Sequence, residues 1–266
     1  MNNHVLLGSY VPVQSVLHHL DPRSKLLTCL IFVIDCFCVN NLITGVILAL
    51  ALLGAMMASH VSPAAYWEGI RAFLWVIIIT VLCQLLFSSG GHVFWSAGPM
   101  AITTDGLVNS VYIIYRFVMT ILAATVLTAT TTAMQLSLAL TWFLQPLKKL
   151  HCPIDQFSLM MAISLQFIPI LSAEYHRILA AQISRGANFN GGGWRHLRQL
   201  MPLLVPLLVS TFNRASDLAT AMEARGYVPG APRTSYRRLN WQRSDTFAML
   251  LVVMVTVLVV VVQTIG

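Results

Sequence analysis

Runs of apolar residues too long for a soluble core dictate what this chain can become. Leu42 to Ala58 and Thr246 to Thr264 contain no charged residue, and Ile70 to Phe87 contains only Arg71. A bilayer core of about 30 Å is crossed by about 20 helical residues. Inside hydrocarbon each backbone N–H and C=O must be paired within the protein, so runs of this kind become membrane helices. Two more qualify: Leu26 to Val39, apolar apart from Asp35, and Leu107 to Thr131, whose single charge is Arg116. Asn40-Asn41 reads as a tight turn between the first two spans. Over all 266 residues, 9% are charged, against about 25% for soluble domains. That excludes an ordinary water-soluble enzyme, and the apolar content excludes a disordered chain. The expected fold class is all-α: a polytopic membrane protein of about five transmembrane helices with long amphipathic cytoplasmic coupling helices.

The few charges are unevenly placed. Lys and Arg number sixteen against nine Asp and Glu, for a net charge of +7. Twelve of the sixteen lie between residues 132 and 245, whereas Asn40-Asn41, Ser88 to Asp105 and Gln263 to Gly266 have none. Cytoplasmic loops collect Lys and Arg, so the amino terminus is expected inside and the carboxyl end outside. Residues 1–131 then hold four spans, 132–245 a cytoplasmic segment, and 246–266 the last span. Two apolar stretches within the insert, Phe157 to Ala173 and Leu200 to Phe212, are read as non-spanning. As spans they would carry Arg177, Arg185, Arg195 and Arg198 to the outer face.

The insert has helical periodicity. Leu204, Leu207, Leu208, Thr211, Phe212, Ala215, Leu218, Ala219 and Met222 recur at intervals of three and four, with Asn213, Arg214, Asp217 and Glu223 on the other side. A preceding helix repeats the pattern at Leu171, Tyr175, Ile178, Leu179 and Ile183, with Glu174, His176 and Arg177 on its polar side. Pro169, Pro202 and Pro206 are expected to bend these helices or begin new ones. Both helices close alike: Ala181-Gln182-Ile183-Ser184-Arg185-Gly186 and, forty residues on, Ala221-Met222-Glu223-Ala224-Arg225-Gly226. Glycine after a helix accepts the left-handed conformation that stops it, and small neighbours leave each guanidinium clear. Such an Arg, with a planar fork of donors, suits a carboxylate- or carbonyl-lined groove on a partner.

Other chemistry has little support in the residues. There is no phosphate-binding G-x-x-x-x-G-K-[ST] motif, no H-E-x-x-H, and no Cys/His spacing suited to zinc. No catalytic or metal residue is assigned, and no bound cofactor is expected. Gly191-Gly192-Gly193 reads as a flexible turn. Asp35 and Arg116 are costly within spans and by default indicate a pair or a functional site. A mutual ion pair is one reading; a proton or ion path, making this a stand-alone secondary transporter, is the other.

The two Ser/Ala-Arg-Gly helix ends, the run Leu17-His18-His19-Leu20-Asp21-Pro22-Arg23-Ser24-Lys25-Leu26 and the phrase Met222-Glu223-Ala224-Arg225-Gly226-Tyr227 together resemble the transmembrane T components of energy-coupling factor (ECF) transporters. The resemblance spans nearly the whole chain and implies a non-catalytic subunit of an ATP-driven importer in a bacterial cell membrane. In that family the T component joins two cytoplasmic ABC-type ATPases, which hold ATP and Mg, to a small substrate-binding membrane protein (the S component). It implies ATPase docking by Ser184, Arg185, Gly186, Ala224, Arg225 and Gly226, and an S-component surface that includes Leu204, Leu207, Leu208 and Phe212. The first motif has Ser184 where the family often has Ala. Vitamins are the implied cargo, with cobalt or nickel for dedicated relatives. No nucleic-acid partner is expected.

Overall fold

The computed structural model describes residues 15–39, 41–87, 90, 93–97, 100–150, 152–187, 194–231 and 240–265. Its elements are α1 (Val16–His19), α2 (Pro22–Cys38), α3 (Leu42–Ser59), α4 (Pro63–Phe87), β1 (Val93–Ala97), β2 (Met100–Thr103), α5 (Thr104–Thr130), α6 (Ala133–Leu144), a 3-10 turn (Gln145–Leu150), α7 (Ile154–Ser184), α8 (Trp194–Ala224) and α9 (Arg243–Ile265). The chain divides into two compact units, residues 1–140 with 237–266 and residues 141–236.

Helix starts follow from local polar chemistry. The Asp21 carboxylate accepts the Arg23 N–H at 2.9 Å, and Pro22 opens α2 with its preset φ. Thr103 Oγ1 accepts the Gly106 N–H at 3.1 Å to cap α5. Thr132 and Gln135 satisfy each other's backbone N–H groups, a capping box that begins α6. His60, at φ 53°, ends α3 in the left-handed conformation.

In the first unit five helices run alternately between two levels. At one level lie the starts of α2 and α9, the end of α5 and the α3–α4 corner. Asp245, fully buried, accepts the Asp21 N–H at 2.7 Å, the Ser24 hydroxyl at 3.1 Å and the Gln242 N–H at 2.7 Å. Lys25 Nζ donates to the carbonyls of Thr130 and His18 at 3.0 and 3.3 Å. Val61 and Tyr66 pack with Val126 and Ala129. At the other level Arg116 Nη2 donates to the Val39 carbonyl at 2.9 Å, Tyr115 Oη to Gly45 at 2.7 Å, and Gln263 Nε2 to Cys38. Between the levels, Cys36, Val39, Leu48 and Val259 form a core against Phe32, Tyr112, Tyr115, Met119 and Val255.

The solvent of this unit is lipid, and its helices are patterned accordingly. On α2 the large apolar side chains Leu30, Ile34 and Phe37 are exposed, spaced by four and three, while Ser24, Lys25, Asp35 and Cys36 are buried. Apolar residues face outward because hydrocarbon costs them nothing, and polar ones face inward because only protein can bond them. Close approach does the rest. A Cβ on Gly69 of α4 would stand 2.8 Å from Thr125 Oγ1 of α5, so these helices pack where glycine leaves room.

Several expectations need adjustment. Among the described residues, the helices long and apolar enough to cross a membrane are Leu42–Ser59, Pro63–Leu86, Thr104–Thr130, Ile154–Ser184 and Arg243–Thr264. Five is the expected number, but the membership differs. The span expected at Leu26 to Val39 is α2, of 17 residues, about 25 Å of helix; it nevertheless reaches from one level to the other. Helix α7, whose apolar half the sequence places in the non-spanning insert, meets both criteria because its 31 residues form one continuous helix. Pro169, Pro202 and Pro206 begin no new helix; each lies inside α7 or α8. One lost donor and one clash are local costs that a long helix absorbs. The body of the chain is all-α as expected, with an antiparallel hairpin added, β1 pairing β2 from Val93↔Thr103 to Ala97↔Met100 with an irregularity between Val93 and Trp95.

Candidate functional site

The second unit carries both Arg-Gly ends. Helices α7 and α8 have 31 residues each, and their first residues are forty positions apart. Each closes with the same bonds. In α7 the Arg185 N–H reaches the Ala181 carbonyl at 3.2 Å, Gly186 reaches Ile183 at 2.9 Å and Ala187 reaches Gln182 at 3.0 Å. In α8 Arg225 reaches Ala221 at 3.2 Å, Gly226 reaches Glu223 at 2.9 Å and Tyr227 reaches Met222 at 3.0 Å. This is the Schellman closure, in which the residue after the cap must adopt positive φ. Gly186 and Gly226 do so at 83° and 74°. Ser184, Arg185, Gly186, Ala224, Arg225 and Gly226 are all exposed. Among the described residues neither guanidinium meets an acidic side chain within ion-pair distance, although Arg177 and Arg214 in the same unit both do.

The two helices meet around Glu174. This residue is 9% exposed, and its carboxylate pairs with Arg177 of its own helix and, at 3.5 Å, with Arg214 of α8. Paired guanidinium groups favour an ionised carboxylate, and the pairing holds the two helices side by side. An open depression of about 460 Å³ beside the contact is lined by Pro169, Ile170, Ala173, Glu174, Arg177 and Arg214. Glu174 and Arg214 occupy the same position in their helices, twenty residues from the start. Each Arg tip therefore stands about 15 Å beyond the crossing.

The polar face read from periodicity needs correction here. Glu174, expected on the water side, is buried at the helix contact, whereas Arg214 stays exposed as expected and reaches across to it. Continuing the line of Arg214 along α8, Leu203 is buried and Leu207, Thr211, Leu218 and Met222 are half-buried, whereas Leu204, Leu208 and Phe212 form an adjacent exposed stripe. Four of the proposed surface residues are thus split: Leu204, Leu208 and Phe212 outward, Leu207 partly inward. The sequence reading overlooked Glu174 as the meeting point. Its available signal was the interval to Arg214, forty residues, equal to that between Arg185 and Arg225.

The intramembrane charges belong to the first unit and take separate partners. Asp35 Oδ2 accepts the Thr256 hydroxyl at 2.7 Å, joining α2 to α9. Arg116 lies against the carbonyl end of α2 at Val39, where a cation complements the helix dipole. The expected mutual pair is replaced by these two contacts, because Arg116 sits at the end of α2 and Asp35 a turn before it. Gly191-Gly192-Gly193 lies outside the described residues. Among the described residues no group of three or more His, Cys, Asp or Glu could hold a metal ion.

Residues 13–236 match the model of the family described as CbiQ, cobalt transport protein. Similar curated proteins are named energy-coupling factor transporter transmembrane protein EcfT. That of Limosilactobacillus fermentum is 47% identical, covering 97% of each chain. That of Lactococcus lactis is 39% identical over 96% of this chain and 97% of the relative, and that of Bacillus subtilis 39% over 97% and 98%. The names denote membrane transporter components rather than enzymes. With apolar helices, buried intramembrane charge and matched Arg-Gly ends, this chain belongs to the CbiQ family, together with the EcfT transmembrane components of ECF transporters.

Proposed function

We propose that this chain is the coupling subunit of an ECF-type importer, joining two cytoplasmic ABC-type ATPases to a small substrate-binding membrane protein for vitamin uptake. The observation that carries the reading is the duplicated helix end: two exposed Arg residues, each on an identical Schellman closure, on helices of equal length. Two equivalent tips fit two equivalent partners. Each guanidinium offers a planar fork of donors to an acidic or carbonyl-lined groove, and the ATPases supply the ATP and Mg that this chain does not bind. The exposed stripe at Leu204, Leu208 and Phe212, with Leu207 beneath, is the surface offered to the substrate-binding subunit. The amino terminus is cytoplasmic in this reading: Arg23, Lys25 and Arg243 gather at one level of the first unit, as the positive-inside rule requires of a cytoplasmic face. The membrane is the bacterial plasma membrane.

Coexpression with both ATPases and the substrate-binding subunit, followed by affinity capture through a tag on this chain, tests the reading. Arg185→Ala and Arg225→Ala together are expected to reduce ATPase capture at least tenfold, with Lys at either position an incomplete substitute. Full capture by the double variant overturns it. The family description, which names cobalt transport, favours a dedicated cobalt or nickel importer as the second reading. Uptake of radiolabelled Co²⁺ against labelled vitamins separates the two.

A further inference from the structure

We infer that Glu174 is a positioning residue: the fulcrum at which α7 and α8 cross, holding the two Arg tips at a set separation. The inference rests on the coupling role proposed above for those tips. Its own support is geometric. Glu174 is the one acidic residue buried in the second unit among the described residues, and it bridges α7 to α8 through Arg214. Its partner is the residue forty positions later, so the contact falls at the same point of both helices. Two levers of equal arm, about 15 Å each, share this pivot. Rotation about it moves both tips by the same amount, which is what a pair of ATPases closing together requires.

The chemistry suits a pivot better than a weld. Arg214 is 43% exposed and approaches Glu174 at 3.5 Å, whereas Arg177 pairs more closely from the same helix as Glu174. Arg177 thus keeps the carboxylate ionised and aimed while the contact to Arg214 stretches and re-forms. The depression beside the pair, bounded by Pro169, Ile170 and Ala173, leaves space into which the crossing can adjust.

Electron–electron distance measurements test this on the full complex with both ATPases and the substrate-binding subunit in nanodiscs. Nitroxides are placed at Ala180 and Thr220, exposed and again forty residues apart, in a background whose five cysteines are replaced. In the otherwise native protein a single narrow distance is expected, shifting on addition of ATP. Glu174→Gln is expected to widen the distance distribution at least twofold and to abolish the ATP-dependent shift, while both ATPases stay bound through Arg185 and Arg225. Arg214→Lys, which keeps a cation opposite Glu174 and leaves Arg177 in place, is expected to retain the native width and shift, and Arg214→Gln to lose both. A native width and shift in Glu174→Gln overturns the fulcrum, as does their retention in Arg214→Gln. The docking reading fails differently: the ATPases then remain bound to the Arg185→Ala/Arg225→Ala variant, whatever the distances show.

Discussion

Buried polar residues in this chain act as joints between helices. Asp245 is the clearest, since one carboxylate serves three donors from the starts of α2 and α9. Replacing it with Ala leaves the buried Asp21 N–H and the Gln242 N–H without their acceptor, while the Ser24 hydroxyl keeps the Asp21 carbonyl at 2.7 Å. Asp245→Ala is expected to destabilise the protein by about 2–4 kcal/mol, read as a lowered midpoint of thermal unfolding in detergent. Asp245→Asn, which keeps one acceptor oxygen, should retain part of that stability. Arg116 acts by a related principle at the opposite level, where its charge meets the Val39 carbonyl that follows the last turn of α2. Arg116→Leu removes that cap, at a cost of about 1–2 kcal/mol, visible in the same melt. Neither role was readable from the sequence, because a buried charge needs a partner that the sequence does not name.

At the scale of elements, the helix ends and helix contacts carry the consequences. Gly186 and Gly226 have open space around a prospective Cβ, so Ala there would clash with nothing. Conformation alone resists it, since positive φ costs an L-residue about 1–2 kcal/mol. Gly186→Ala and Gly226→Ala are therefore expected to fray the last turn of α7 or α8. Amide exchange at Ala187 or Tyr227, whose N–H groups close the motif, should accelerate about tenfold. These ends were legible beforehand because the motif is local: glycine, a small residue and the cap lie within six positions. The α4–α5 contact is the opposite case. Gly69→Val drives a side chain into Thr125 and is expected to destabilise by about 1–3 kcal/mol, whereas combining it with Thr125→Ala should recover much of the loss in a double-mutant cycle. Nothing in the sequence around Gly69 names Thr125, more than fifty residues away.

For the whole molecule, alternation of α2, α3, α4, α5 and α9 between two levels gives the first unit a direction. Cationic residues collect at the level of Asp21 and Asp245, and the ends of α2 and α9 define the other. If the cationic level is cytoplasmic, then in a background whose five cysteines are replaced a cysteine introduced at Thr264 should react with a membrane-impermeant maleimide added to intact cells, while one introduced at the exposed His19 stays unlabelled until the membrane is opened. The reverse pattern would invert the topology. The distribution of charge that motivates this prediction was visible from the start. The helix membership was not: α2 is short for a span and α7 long enough to be one, and hydropathy cannot tell a helix shielded by lipid from one shielded by protein.

The sequence by itself determined that the chain is a helical membrane protein and that two matched helices end in Arg-Gly. Those properties depend on composition and on residues within a few positions of each other. Tertiary structure alone decided which polar groups meet: Asp35 with Thr256, Arg116 with Val39, Glu174 with Arg214. It also turned Glu174 from an expected water-facing side to the helix contact. The reason is physical. A periodic pattern reports which face of a helix is apolar, but where a buried charge finds its partner depends on how helices distant in sequence cross, and that is set by packing.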